Sequence, residues 1–192
     1  MAAAETKTFG SRDEFEAALK QDRDLSGANL SGLDLSGITL AGLSLKGADL
    51  QDCNLAGARL AGLDMSDANL ANANLEGVRM AGAGLRRANL RGVQLKDARI
   101  AGVDLKDADL TGADLSESSI VGADVAGADF SGVTTTGAKA AIDWSGAKVP
   151  PAELPAPVSP PPWLGLVAFG AVAAVVIILL LRRRKSQEDS SA

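Results

Sequence analysis

The chain has 192 residues, a formal net charge of −5 at neutral pH, no histidine or tyrosine, and a single thiol at Cys53. The length fits one compact domain with appendages, and the negative charge argues against non-specific binding to nucleic acid or acidic lipid. A disulfide within one chain is excluded, a metal site would have to be built from carboxylates alone, and histidine acid–base catalysis has no residue to perform it.

Residues 1–10 lack the basic start and long apolar core of a secretory signal and read as a flexible N-terminus. Ser11-Arg12-Asp13-Glu14 then fits a capping box, and Phe15, Ala18 and Leu19 make one apolar face of a short helix within 11–22. Its expected role is to cover the first turn of the repetitive structure that follows, hiding unpaired strand groups and apolar core.

From 23 to 132 an apolar residue returns every five positions, from Leu25, Leu30, Leu35 and Leu40 to Ile120, Val125 and Phe130. Two places before most beats stands a second apolar residue, commonly smaller, such as Ala28, Cys53, Val78 or Ala113, and glycine usually follows two places after the beat. In an α-helix, five residues advance a side chain by about 140°, which would smear the leucines around the axis. In a flat strand the odd period throws successive pairs to opposite faces. The apolar set stays together only if the backbone turns a corner every five residues, which describes a coil with its apolar atoms inside. Cys53 falls on an inward position and reads as a small core residue.

The units Ala28-Asn29-Leu30-Ser31-Gly32, Ala48-Asp49-Leu50-Gln51-Asp52 and Ala108-Asp109-Leu110-Thr111-Gly112 are similar to those of pentapeptide-repeat proteins. The resemblance implies an all-β fold, a right-handed quadrilateral parallel β-helix with four pentads per coil. Four pentads per coil would make residues 23–132 a solenoid of about five and a half coils and about 26 Å. Side chains twenty residues apart would then stack.

That register aligns Arg59, Arg79 and Arg99, with Thr39 and Ser119 at either end, as a ladder beside Ala41, Ala61, Ala81, Ala101 and Val121, with Gly42, Gly62, Gly82, Gly102 and Gly122 beyond. The ladder reads either as a docking face for an acidic protein partner or as a solvated ridge balanced by Asp97, Glu76 or Asp64. Arg86, Arg87, Arg91, Lys96 and Arg99 fall in one coil and form a basic belt. Beyond it Asp104, Asp107, Asp109, Asp114, Glu117, Asp124 and Asp129 make an acidic end, relieved only by Lys106. Family members that protect DNA gyrase imitate duplex DNA with acidic surface, and the acidic end is compatible with that role; the belt and ladder interrupt the imitation. No constellation points to catalysis or to a cofactor, because the repeat accounts for every Ser and Asp.

After Gly132 the beats weaken to Thr135 and Ala140, so 133–148 reads as a C-terminal cap with Trp144 closing the core. Residues 149–162 hold all seven prolines and read as a semi-rigid linker. Residues 163–181 carry no charge and would reach about 28 Å as a helix, enough to cross a bilayer core. Trp163 suits the interface, and Arg182-Arg183-Arg184-Lys185 after Leu181 stop the span at the head of the polar tail 182–192. Gly170 and Ala174 form a small-xxx-small pair suited to helix association and a homo-oligomer. The basic cluster favours a cytoplasmic C-terminus, whereas the lack of an export signal favours a cytoplasmic solenoid. The expectation is a single-pass, tail-anchored protein of a bacterial inner membrane, a non-catalytic scaffold presenting a rigid surface to a protein partner. A gyrase-protecting duplex mimic and a component of a secretion or contractile-injection assembly are the alternatives.

Overall fold

In the computed structural model, which describes residues 6–158, the chain winds into an all-parallel β-solenoid of about six turns. The inward beats and their partners two places earlier are buried from Leu25 to Phe130, except Leu33, which is half-buried. Three-residue strands recur at one place in each coil: β1 (Thr39–Ala41), β2 (Arg59–Ala61), β3 (Arg79–Ala81), β4 (Arg99–Ala101), β5 (Ser119–Val121) and β6 (Lys139–Ala141). They pair in parallel with β7 (Ala156–Pro157) at the end, giving one seven-stranded sheet in sequence order. The register is Leu40↔Leu60↔Met80↔Ile100↔Ile120, a shift of one four-pentad coil per rung. This sheet is the first face. The second, third and fourth carry Leu45, Leu50 and Leu55 and their stacked equivalents, and are joined by single bridges such as Ser44↔Asp64, Asn29↔Asp49 and Asp34↔Asn54.

The faces differ because of the residue before the beat. On the other three faces it is mostly Asp or Asn, whose short side chain accepts the amide two residues on, as Asn29 does from Ser31 at 3.0 Å and Asp64 from Ser66 at 3.0 Å. These side chains also join coil to coil, with Asn54 donating to Asp34 at 3.0 Å and Asn89 to Asn69 at 2.9 Å. On the first face Arg or Lys stands there in four of six strands, has no acceptor for that turn, and the backbone stays extended over three residues.

The corners differ too. After the second, third and fourth faces the chain closes a hydrogen-bonded turn, as in Ala28 N to Leu25 O at 3.1 Å and Val78 N to Leu75 O at 3.1 Å. After the first face, among the described residues, no such bond forms, and the corner is Gly42, Gly62, Gly82, Gly102 and Gly122, all at positive φ. Long side chains are tolerated in that left-handed conformation elsewhere, at Arg87 and Glu117, but the corner beside the sheet is bare in five successive coils.

The first coil is covered by α1 (Arg12–Leu19). Ser11 accepts from the Glu14 amide at 3.3 Å, but Glu14 returns its carboxylate to Gly10 N at 2.8 Å, one residue outside a standard capping box. Phe15 is fully buried and meets Phe9 edge to face at 5.6 Å, while Arg12 donates to Ser36 O at 2.8 Å and ties the helix to the coil. Part of the expected loose N-terminus is in fact a partial rung. Asn29 N donates to Lys7 O at 2.8 Å and Phe9 N to Asn29 O at 3.1 Å, because the edge of the first coil has free groups to satisfy.

The coil also runs past the boundary expected at residue 132. Phe130 N donates to Val149 O at 2.8 Å, Lys139–Ala141 continues the sheet, and Ala156 N donates to Ala138 O at 3.0 Å. The backbone ladder needs extended residues rather than large beats, so Thr135 and Ala140 serve as inward positions. Trp144 does pack on Phe130, edge to face at 5.0 Å. Residues 149–157, expected to be part of a spacer, instead form the last partial coil. Pro150 stands next in the series Leu90, Leu110 and Phe130, whose amides donate to the coil beyond, and it has no amide hydrogen to leave orphaned. The rest of the linker, the 163–181 segment and the 182–192 tail lie outside the described residues, as do residues 1–5. Among the described residues no helix is long and apolar enough to cross a membrane.

Two inward polar groups stand out. The Cys53 thiol donates to Leu30 O, and burial pushes it up to about 11, which keeps it protonated and unreactive at neutral pH. Ser118 occupies a position that holds Ala or Val in neighbouring coils, and its buried Oγ has no partner. Ser118→Ala is therefore expected to stabilise the fold by about 1 kcal/mol, read as a higher midpoint of thermal unfolding; a lower midpoint would contradict this account.

Candidate protein-binding face

The strand pairing places Arg59, Arg79 and Arg99 side by side on the outer surface of the first face, each exposed. Neighbouring rungs lie about 4.8 Å apart. Ala61, Ala81 and Ala101 form a second exposed column on the same strands, and beyond it lies the glycine corner. Together the two columns line a shallow open groove that continues to Ser119 and Val121. Strands β1 to β7 carry four cations, the fourth being Lys139, and no carboxylate. Among the described residues none of the three arginines makes a salt bridge, so Asp97, Glu76 and Asp64 do not neutralise them.

The belt is arranged otherwise. Arg86 and Arg87 sit at the corner after the second face, Arg91 after the third and Lys96 after the fourth, so the belt encircles the rod rather than forming one patch. Arg87 grips Asp67 with two hydrogen bonds of 2.7 and 2.8 Å. Arg91 reaches Asp109 at 2.9 Å, and Arg86 approaches Asp104 at 3.9 Å. Within the acidic end Lys106 pairs with Asp124 at 2.7 Å. The belt thus spends three arginines on neighbouring coils, and the ladder spends none. One ladder feature was missed from the sequence, Lys139, which extends the cationic column past Ser119. Val121 stands in the alanine column as the twenty-residue register aligned it, an apolar side chain 42% exposed. Continuing the twenty-residue register past Gly132 would have found Lys139.

Several aspartates of the coil hold their protons weakly. The Arg87 hydrogen bond keeps Asp67 below the usual carboxylate range, Lys106 does the same for Asp124, and the Ser36 amide does so for Asp34. Burial alone would push Asp109 up, but hydrogen bonds from Thr111 and Arg91 outweigh it. Each folded-state value lies below the unfolded one, so the stabilisation is present above about pH 4 and is lost as pH falls through the folded values. Thermal midpoints are expected to be flat between about pH 5 and 7 and to drop steadily below about pH 4. A midpoint unchanged down to about pH 2 would show that these bonds contribute nothing. Among the described residues no cluster of three or more acidic or sulfur ligands is placed to hold a metal ion.

Four pentads per coil, an interior of stacked beats and a single seven-stranded parallel sheet define a parallel β-solenoid of the five-residue type. The chain belongs to the pentapeptide-repeat family: the models for the pentapeptide repeat region and for pentapeptide repeats in eight copies match residues 48–125 and 24–62. Similar solved structures include trypsin-treated QnrB1, a plasmid-mediated fluoroquinolone resistance protein, at 28% identity and a TM-score of 0.43, covering 64% of this chain and 65% of that one. A pentapeptide repeat protein from Nostoc Pcc 7120 is 32% identical over 55% of this chain and 84% of its own, with a TM-score of 0.49. One from the Arabidopsis thaliana thylakoid lumen is 34% identical over 54% and 68%, with a TM-score of 0.35. No curated protein matches the chain.

Proposed function

We propose that this protein is a non-catalytic scaffold, tethered to a bacterial inner membrane by residues 163–181, whose first face holds an acidic protein partner. The observation that carries the reading is the contrast between two sets of arginines: Arg86, Arg87 and Arg91 at the corners pair with aspartates, whereas Arg59, Arg79 and Arg99 stand in a column that, among the described residues, has no salt-bridge partner. Like charges one rung apart repel, and a partner's carboxylates relieve that repulsion while gaining charge-assisted hydrogen bonds. The uncharged run from Trp163 to Leu181 followed by Arg182-Arg183-Arg184-Lys185 supports the tether, and Gly170 and Ala174 support pairing of two copies through it. The reading is tail-anchored, with the solenoid in the cytoplasm.

Affinity capture from detergent-solubilised membranes tests the docking face. A protein partner held by the native chain is expected to be lost when Arg59, Arg79 and Arg99 are all changed to Glu, and kept when Arg87 is changed to Gln. An unchanged partner list removes the ladder from the function, and gyrase among ladder-independent partners would favour the duplex-mimic alternative. Extraction of membranes with alkaline carbonate is expected to leave the chain in the pellet, and its release would remove the tether. Protease added to intact cells is expected to spare the solenoid; its digestion would reverse the orientation.

A further inference from the structure

We infer that the occupant of the first face is an α-helix lying along the solenoid axis, with carboxylates at positions i, i+4 and i+7 over Arg59, Arg79 and Arg99. The inference rests on the proposed reading that this face takes an acidic protein, and it specifies the shape of that protein. Its basis is a match of repeats. Arg59, Arg79 and Arg99 occupy three consecutive in-register rungs, so the column spans about 10 Å at about 4.8 Å per rung. On a helix, positions i, i+4 and i+7 stay on one side and advance by about 10.5 Å. An extended strand presents same-side residues about 6.8 Å apart, so three carboxylates spread over nearly 14 Å and overrun the column.

The breadth of the face agrees. The arginine and alanine columns are two residues apart on each strand, about 6.7 Å, and a helix about 10 Å across covers both. Ala61, Ala81 and Ala101 let the helix backbone approach closely, and the corner beyond them has no side chain from Gly42 to Gly122 to obstruct it. Val121, one rung past Ala101 and 42% exposed, offers an apolar seat to the next helical turn. The strands contribute no carboxylate that would compete for the guanidinium groups. The occupant is therefore amphipathic, with an acidic stripe beside a stripe of small apolar residues.

The test uses the full chain in non-ionic detergent and fluorescent peptides of equal length and equal glutamate content. One is a helix former of about four turns with Glu at i, i+4 and i+7 beside an alanine stripe; a second scatters the same glutamates around the helix; a third alternates Glu with β-branched residues. The striped helix is expected to bind at least tenfold more tightly than the other two. Arg79→Gln should weaken it about tenfold, and Ala81→Gln, which adds neutral bulk to the strip, should weaken it comparably. Deleting residues 71–75 should abolish binding, because it keeps the pentad pattern but carries Arg79 and Arg99 onto the adjoining face. Circular dichroism of each variant checks that the coil persists, and Arg79→Gln and Ala81→Gln decide the matter if the deletion does not fold. Equal or tighter binding of the alternating peptide, still lost in Arg79→Gln, overturns the helix and leaves the acidic-partner reading standing. Peptide binding indifferent to Arg79→Gln overturns both. Ladder-dependent binding of duplex DNA or of vesicles of anionic phospholipid, tighter than that of the striped helix, also overturns both.

Discussion

Removing residues 71–90 from the middle of the solenoid is expected to leave a folded, cooperatively melting protein, whereas removing 71–91 is expected to leave one that does not melt cooperatively. The shorter deletion joins Leu70 to Arg91-Gly92-Val93-Gln94-Leu95, so the pentad pattern resumes without a break and every remaining rung keeps its twenty-residue register. Its cost is one coil's share of core. The longer deletion differs by a single residue, and in extended chain a slip of one turns each side chain to the opposite face. Even if the chain repaired itself after one coil, four large beats would have faced water, at about 1.5–3 kcal/mol each. That sum is comparable with the whole stability of an ordinary domain. Far-ultraviolet circular dichroism during heating distinguishes the two, and similar melting curves would show that the coil absorbs a broken period more easily than its packing implies.

The second large effect is expected at the N-terminal end, where Phe15→Ala should destabilise the protein by about 3–5 kcal/mol. Phe15 is the one buried residue of α1, it is fully enclosed, and its ring meets Phe9 at 5.6 Å. The other contacts of the helix are slighter: Ala18 and Leu19 pack half-buried on the core, and Arg12 reaches Ser36 O. Loss of the ring therefore uncovers the floor of the first coil as well as leaving a cavity, and exposes strand groups able to pair with another molecule. Chemical denaturation measures the loss, and light scattering reads any association. A change below about 1 kcal/mol would mean that α1 is not the lid of the core.

Much of this architecture could be read without coordinates. The five-residue beat forced a coil, the stacking of Arg59 on Arg79 and Arg99 followed from the twenty-residue register, and Ser11-Arg12-Asp13-Glu14 located the start of α1. The end of the coil was misjudged because large beats were taken as its requirement, when the ladder continues on backbone amides with Thr135 and Ala140 inside. Prolines that looked like a spacer in fact close the last rung, where a missing amide hydrogen is an advantage. The belt was read by proximity in sequence, which says little in a coil. The same register would have paired Arg87 with Asp67 twenty residues earlier, and a separation of eighteen would have paired Arg91 with Asp109 and Lys106 with Asp124.

The direction of the hydrogen bonds has a mechanical consequence. The rung bonds join coil to coil, and among the described residues each strand pairs only with the coil before and the coil after it. Tension entering through the chain at residue 158 therefore meets β7 first, a strand of two residues, and then β6, and it never loads the whole ladder at once. Under such a pull the coils release singly from the C-terminal end, and the three arginines are reached only after the irregular coil around Trp144 has given way. Held instead at Arg59, Arg79 and Arg99 by a partner, the middle of the rod is shielded from that sequence of failures, and the terminal coils serve as its fuse.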